Sequence, residues 1–114
     1  MSTIYHNPRC STSRNALERL REAGYEPEII EYLKTPPDVQ TLAQLIQDAG
    51  LSVRDAIRSK EPAYAEQGLD NPDLSDDALL AAMVATPVLI NRPFVRTEKG
   101  ARLGRPLEKI EEIL

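Results

Sequence analysis

The chain contains 114 residues with a mass of 12.7 kDa, which suits one domain, and its hydrophobic content of 41% is enough for one core. Its 14 basic and 18 acidic residues give a net charge of −4, which disfavours nucleic-acid partners because nucleic-acid-binding domains are usually basic. No apolar run approaches the ~20 residues of a membrane-spanning helix, and the N-terminus lacks the basic and apolar regions of a secretory signal, so we expect a cytoplasmic protein without membrane partners.

The first third of the chain has the pattern of two strands with a helix between them. Residues 3–6 are β-prone and predict a first strand that ends at a turn. Ser11-Thr12-Ser13 are typical helix-start residues, and an apolar stripe of helical period continues to Gly24, a predicted C-cap. Residues 28–33 predict the second strand. Cys10 therefore lies in the first strand-to-helix loop.

Residues 34–86 are predicted to be mainly helical. Helix-entry residues at Asp38, Ser52 and Ser75 each precede an apolar stripe, which predicts three helices. The intervening segment 59–73 contains two prolines and a glycine and is predicted to be less regular.

The C-terminal part returns to a β pattern. Strands are predicted at Val88–Ile90 and at 94–96, and a hairpin turn at 97–100 leads to a further short strand at 101–103. Pro106 is suited to the first turn of a last helix.

The order of these elements indicates the fold class. Without the central helices it is βαβββα or βαββα, which is typical of the thioredoxin-like plan. We predict an α/β fold in a single domain, 1–114, with a four-stranded mixed sheet flanked by helices and a helical insertion at about 34–86.

Cys10 is the only cysteine, so an intramolecular disulfide and a Cys-rich zinc site are excluded and no metal site is predicted. A lone cysteine is most often an inert buried residue. Here it precedes a helix, whose free N–H groups stabilise a thiolate and can hold an oxyanion, and His6, Arg9 and Arg14 add positive potential. Ser13 occupies the resolving position of a Cys-x-x-Cys motif, so a redox cycle needs an outside thiol such as glutathione; helix capping is a compatible role for Ser13.

Three arginines outside this loop are candidate anion ligands. Arg58 lies near the end of a predicted short helix, and Arg92 and Arg105 each directly precede a proline, which holds the backbone extended. The planar guanidinium of arginine suits tetrahedral oxyanions because it donates two parallel hydrogen bonds. Residues 92–105 hold five basic residues and one acidic residue, a pattern that fits an anion site and a solvated basic hairpin equally well.

Several separate segments resemble one protein family. Residues 6–15 resemble the active-site segment of the glutaredoxin-linked, ArsC-type arsenate reductases, and the resemblance extends from about Ile4 to Leu114 through four further motifs, at 32–37, 52–58, 89–93 and 102–106. It implies a thioredoxin-like fold with a helical insertion and no bound cofactor. It also implies that the thiolate attacks arsenic(V) in arsenate or a similar oxyanion, that glutathione attacks the adduct, and that glutaredoxin resolves the mixed disulfide as arsenite is released.

The resemblance assigns roles by motif position. It implies three catalytic residues, namely the nucleophile Cys10, His6, which helps the thiolate to form, and Ser13, which hydrogen-bonds near the sulfur. It implies that Arg58, Arg92 and Arg105 bind the oxyanion. Ser11 and Thr12, at the start of the helix, complete the expected substrate site. Pro93 would be the cis-proline that faces the active-site loop.

Two alternative functions remain open at this point. Spx-type regulators of the same superfamily bind RNA polymerase and generally sense oxidation through Cys-x-x-Cys, and Ser13 excludes that disulfide switch here. A monothiol, glutathione-dependent oxidoreductase with a different substrate would also use Cys10.

Overall fold

The strands and helices alternate first and then separate into a helical stretch and a hairpin. The computed structural model describes residues 2–114. In chain order the elements are β1 (Thr3–Tyr5), α1 (Ser11–Glu22), β2 (Glu28–Ile30), α2 (Val39–Asp48), α3 (Val53–Ala56), α4 (Pro62–Glu66), α5 (Asp76–Ala85), a 3-10 helix (Pro87–Leu89), β3 (Phe94–Thr97), β4 (Gly100–Leu103) and a C-terminal 3-10 helix (Leu107–Ile113).

The four strands form one mixed sheet in the order β2-β1-β3-β4. β1 pairs with β2 in parallel and with β3 in antiparallel orientation, so that Ile4 lies between Ile29 and Val95. β3 and β4 form an antiparallel hairpin. The predicted four-stranded mixed sheet with flanking helices is confirmed, and the loop that carries Cys10 leaves the end of the central strand β1.

The two faces of the sheet bury different helices because successive strand residues point to opposite sides. On one face, Ile4 and Val95 pack with α1 and the C-terminal 3-10 helix through Leu20 and Ile110. On the other face, Tyr5 and the rest of a larger cluster pack against α2, α3 and α5. The helices between β2 and β3 therefore cover one side of the sheet, and α1 approaches the site from the other.

The helix boundaries follow the predicted caps. Asp38 accepts a hydrogen bond from the backbone N–H of Thr41 at 2.7 Å, and Ser52 and Ser75 cap α3 and α5 in the same way. Gly24 follows α1 with a φ of +91°, a conformation that favours glycine. No helix within residues 2–114 is both long enough and apolar enough to span a membrane.

The predicted strand at Val88–Ile90 is wrong. Pro87 begins a 3-10 turn in which Ile90 donates to the Pro87 carbonyl at 2.9 Å, and Ile90 keeps only an isolated bridge to Ile57. The β-branched composition suggested a strand, but the proline restricts φ near −65° and starts a tight turn.

Three other boundaries also differ from prediction. β2 ends at Ile30, because a turn closed by the Lys34 N–H and the Glu31 carbonyl follows. The segment expected to be irregular contains α4, with Pro62 in its first turn. The last helix is a 3-10 helix that begins at Leu107, after Pro106.

Candidate active site

Cys10 occupies the N-cap position of α1, where its backbone is extended. The backbone N–H groups of Ser13 and Thr12 point to its sulfur, as does the guanidinium of Arg92. Partial burial opposes ionisation of the thiol, but these N–H groups and the charge and hydrogen bond of Arg92 outweigh it, so the pKa of Cys10 lies below the usual value. The residue is half-buried and free, so its sulfur is both ionisable and within reach of a small substrate.

Arg92 is the cation that contacts the thiol. Its Nε and Nη1 are buried and have no hydrogen-bond partner within residues 2–114. Buried donors are rarely left unpaired in proteins, so these two nitrogens are available to hydrogen-bond an anion. The Arg92–Pro93 peptide bond is cis, as the resemblance implied, and the Arg92 N–H donates to Asn91 Oδ1 at 3.1 Å.

Arg58 reaches the same region from the helices between β2 and β3. Its backbone N–H donates to the Leu89 carbonyl at 2.7 Å, and the Asn91 N–H donates to the Ala56 carbonyl at 2.8 Å. These two bonds tie the end of α3 to the segment just before Arg92. Arg58 therefore faces the site although 34 positions separate it from Arg92 in the chain.

Arg105 arrives from the end of β4. Its Nη1 donates to the Arg92 carbonyl at 3.2 Å, and with Arg58 and Asn91 it lines a cavity of about 210 Å³. A second cavity of about 250 Å³ joins Arg105 to Thr12, at the start of α1. Arg58 and Arg105 thus share one cavity, Arg105 shares a second with the start of α1, and Arg92 is the arginine that acts on the Cys10 thiol.

Gly104 allows this arrangement. Its N–H donates to the Pro93 carbonyl at 2.9 Å, and a Cβ at this position would lie 3.2 Å from Pro93 Cγ and 3.3 Å from Ile110 Cγ2. A side chain at this position would crowd Pro93 and Ile110. The close approach holds the Arg105 backbone beside that of Arg92.

His6 and Ser13 form a buried pair behind the cysteine loop. His6 Nδ1 and Ser13 Oγ are 2.6 Å apart, and Ser13 Oγ also accepts the Asn7 N–H at 3.0 Å. The side chain of Ser13 thus orders the loop and does not cap α1, while its backbone N–H faces the sulfur. Burial lowers the pKa of His6, so the imidazole is neutral at neutral pH and the predicted contribution of His6 to the positive potential is wrong there.

Ser11 is the predicted substrate-binding residue with the least support from its side chain. That side chain is exposed and makes none of the hydrogen bonds found within residues 2–114. Ser11 is nevertheless the first residue of α1, so its backbone N–H is one of the unpaired groups at the helix start.

Two residues near the site were missed by the sequence analysis. Tyr32 is only 1% exposed, and burial raises its pKa although Arg92, the Asn7 side chain and Arg58 oppose the rise. Glu61 forms a 2.8 Å ion pair with Arg58. The three-residue spacing of that pair was a signal in the sequence, whereas a tyrosine in a predicted strand gives no sign of its partners. Within residues 2–114 there is no group of three or more His, Cys, Asp or Glu placed to hold a metal ion.

Comparison with known proteins agrees with this geometry. The ArsC family model matches residues 5–113. The chain is 54% identical over 112 residues to an arsenate reductase of Rhizobium meliloti (strain 1021), covering 98% of this chain and 80% of the relative, and 52% identical to one of Escherichia coli (strain K12), covering 98% and 79%. The solved arsenate reductase from Vibrio cholerae superposes with a TM-score of 0.95 at 49% identity, covering 99% of this chain and 97% of that one. The chain belongs to the ArsC family.

Proposed function

We propose that the protein is an arsenate reductase, an oxidoreductase that converts arsenate to arsenite through an adduct between the Cys10 thiolate and arsenic. The observation that carries the proposal is the thiol of lowered pKa beside Arg92, whose buried Nε and Nη1 have no partner within residues 2–114. The relatives that match nearly the whole chain at about half identity are called arsenate reductases, which favours this function over a polymerase-binding regulator.

Binding of the oxyanion is the first step of the proposed mechanism. A dianion approaching a thiolate is repelled, and fixed positive charge offsets that repulsion. Arg92, Arg58 and Arg105 supply this charge from three separate segments, and the N–H groups at the start of α1 add its positive end.

Formation of the adduct is the second step. The Cys10 sulfur attacks arsenic, an S–As bond forms, and an As–O bond breaks as the oxygen takes up a proton and leaves as water. Arsenic remains pentavalent. His6 and Ser13 act as positioning residues, because their buried hydrogen bond fixes the loop from which the N–H groups reach the sulfur.

Reduction of arsenic needs a second thiol. The chain has one cysteine, and Ser13 stands where a resolving cysteine would be, so the proposal names glutathione as co-substrate. The glutathione thiolate attacks the adduct, the two sulfurs end in a mixed disulfide, and the electron pair of the S–As bond stays on arsenic, which leaves as arsenite. Glutaredoxin then takes over the glutathionyl group and restores Cys10. These reductants belong to the cytoplasm, which makes a cytoplasmic location part of the proposal.

The test is turnover of arsenate by the purified chain with glutathione and glutaredoxin, followed through oxidation of glutathione. We expect turnover by the unaltered protein, none with Cys10→Ser, and a fall of about 100-fold in kcat/KM with Arg92→Ala, because an active-site charge of this kind contributes several kcal/mol. Absence of turnover by the unaltered protein rejects arsenate as substrate. Activity on a glutathionylated model disulfide without activity on arsenate would identify the monothiol oxidoreductase instead.

A further inference from the structure

One of the three arginines is already paired with a carboxylate. Arg58 Nη1 lies 2.8 Å from Glu61 Oε1, and the two side chains are only 25% and 22% exposed. Within residues 2–114, neither Arg92 nor Arg105 forms an ion pair with a carboxylate. Arg58 is therefore the arginine whose charge is partly neutralised in the absence of substrate.

The local backbone directs Glu61 towards Arg58. Glu61 is the N-cap residue of α4, a position where the shorter side chains of Ser, Thr, Asp and Asn commonly accept a backbone N–H of the helix. Its carboxylate makes no such bond. Its N–H instead donates to the Arg58 carbonyl at 3.2 Å, which closes a turn and brings the side chains of the two residues together.

The cavity beside this pair is otherwise cationic. Arg58, Lys60 and Arg105 line it together with Asn91, and no carboxylate is among its lining residues. An oxyanion that uses the Arg58 guanidinium must approach the carboxylate of Glu61 or displace it. The negative charge of Glu61 beside the Arg58 guanidinium opposes the binding of a dianion more strongly than that of a monoanion.

We propose that Glu61 competes with the substrate oxyanion for Arg58 and so sets the affinity of the site for dianions. The inference rests on the proposed oxyanion-binding role of Arg58 and deepens it by naming the residue that tunes it. Glu61 acts through Arg58 and touches no reacting atom. Its charge keeps Arg58 in a defined place between turnovers, at the cost of weaker binding.

The test is the substitution Glu61→Gln, which removes the charge and keeps the shape and an acceptor oxygen. The readout is protection of Cys10 from alkylation by iodoacetamide, measured as the concentration of arsenate or phosphate that halves the rate, relative to each variant's own rate without anion. We expect the half-protecting concentration and the KM for arsenate to fall roughly three- to tenfold, because breaking a partly exposed ion pair frees the Arg58 guanidinium for the anion. The turnover number should change less than KM, because the gain is in binding.

Two controls separate this role from a general effect of charge. Glu66→Gln removes an exposed carboxylate from the same helix α4 and should leave protection unchanged. In an Arg58→Gln background, Glu61→Gln should have no further effect, because the residue through which it acts is gone.

Unchanged or weaker protection in Glu61→Gln overturns the inference, since the carboxylate would then only hold Arg58 in place. A gain that persists in the Arg58→Gln background also overturns it. Tighter anion protection without arsenate turnover would support the inference while rejecting the proposed function, and failure of both anions to protect Cys10 in every variant would reject the inference together with the oxyanion site.

Discussion

Ser13→Ala should destabilise the protein far more than the same substitution two residues earlier. Ser13 is fully buried, and its Oγ serves both His6 Nδ1 at 2.6 Å and the Asn7 N–H at 3.0 Å. Alanine leaves both groups without this partner. A buried polar group left unpaired costs about 1–3 kcal/mol, and since Asn7 is half-buried and can recover part of its loss with water, we expect the free energy of unfolding to fall by about 2–4 kcal/mol.

Ser11→Ala is the matched control for this prediction. Ser11 lies in the same helix, is exposed, and makes no side-chain hydrogen bond within residues 2–114, so its replacement should change the free energy of unfolding by less than about 0.5 kcal/mol. Both values come from urea denaturation followed by circular dichroism at pH 7.5. Equal effects of the two substitutions, or a loss below about 1 kcal/mol for Ser13→Ala, would show that the His6–Ser13 pair does not hold the loop.

Three further predictions concern pH, packing and thiol reactivity. His6 is the only histidine, and burial lowers its pKa in the folded state, so the unfolded chain takes up a proton first as the pH falls through the ordinary value of 6.5. The free energy of unfolding should therefore decline below that pH, and His6→Gln should make it less dependent on pH in denaturation experiments between pH 7 and 5. Gly104→Ala places a Cβ 3.2 Å from Pro93, so it should lower the free energy of unfolding by about 1–3 kcal/mol in denaturation experiments and raise the KM for arsenate in kinetic assays. No change in either quantity would mean that the turn at Pro93 accommodates the methyl group without strain. Arg92→Gln removes both the charge and the hydrogen bond that favour the Cys10 thiolate, so the pH profile of Cys10 alkylation should move to higher pH; an unmoved profile would leave the N–H groups of α1 as the sole cause of the lowered pKa.

The parts of the fold that were predicted correctly carry their information locally. The β1–α1 unit has a β-prone run, a turn, helix-start residues and a glycine C-cap within 24 residues, and the β3–β4 hairpin has its turn at 97–100. The error at Val88–Ile90 arose because the same β-branched residues suit an edge of the sheet and a buried turn. Pro87 was the decisive residue, and its effect depends on the turn that it starts.

The site was less accessible to sequence reasoning than the fold. The position of Cys10 at a helix start is a local property and was read directly. The convergence of the arginines came from the family resemblance, because no local pattern relates Arg58 to Arg92 across α4 and α5. The direction of the Ser13 hydroxyl, towards His6 and away from the helix end, is set by tertiary packing and had no signal in the sequence.

The contacts of the three arginines explain how the positive charge is in place before an anion arrives. Arg92 lies beside the thiol and lowers its pKa, Arg105 bonds to the Arg92 carbonyl, and Arg58 pairs with Glu61, so each side chain has a different neighbour in the free protein. A charge held by existing contacts needs little reorganisation when the oxyanion binds, which is the main source of electrostatic catalysis. The partners differ in how readily an anion replaces them, because a carbonyl oxygen can share a guanidinium with a substrate whereas the carboxylate of Glu61 repels it. The affinity of the site should therefore be limited at Arg58, the one arginine paired with a carboxylate within residues 2–114.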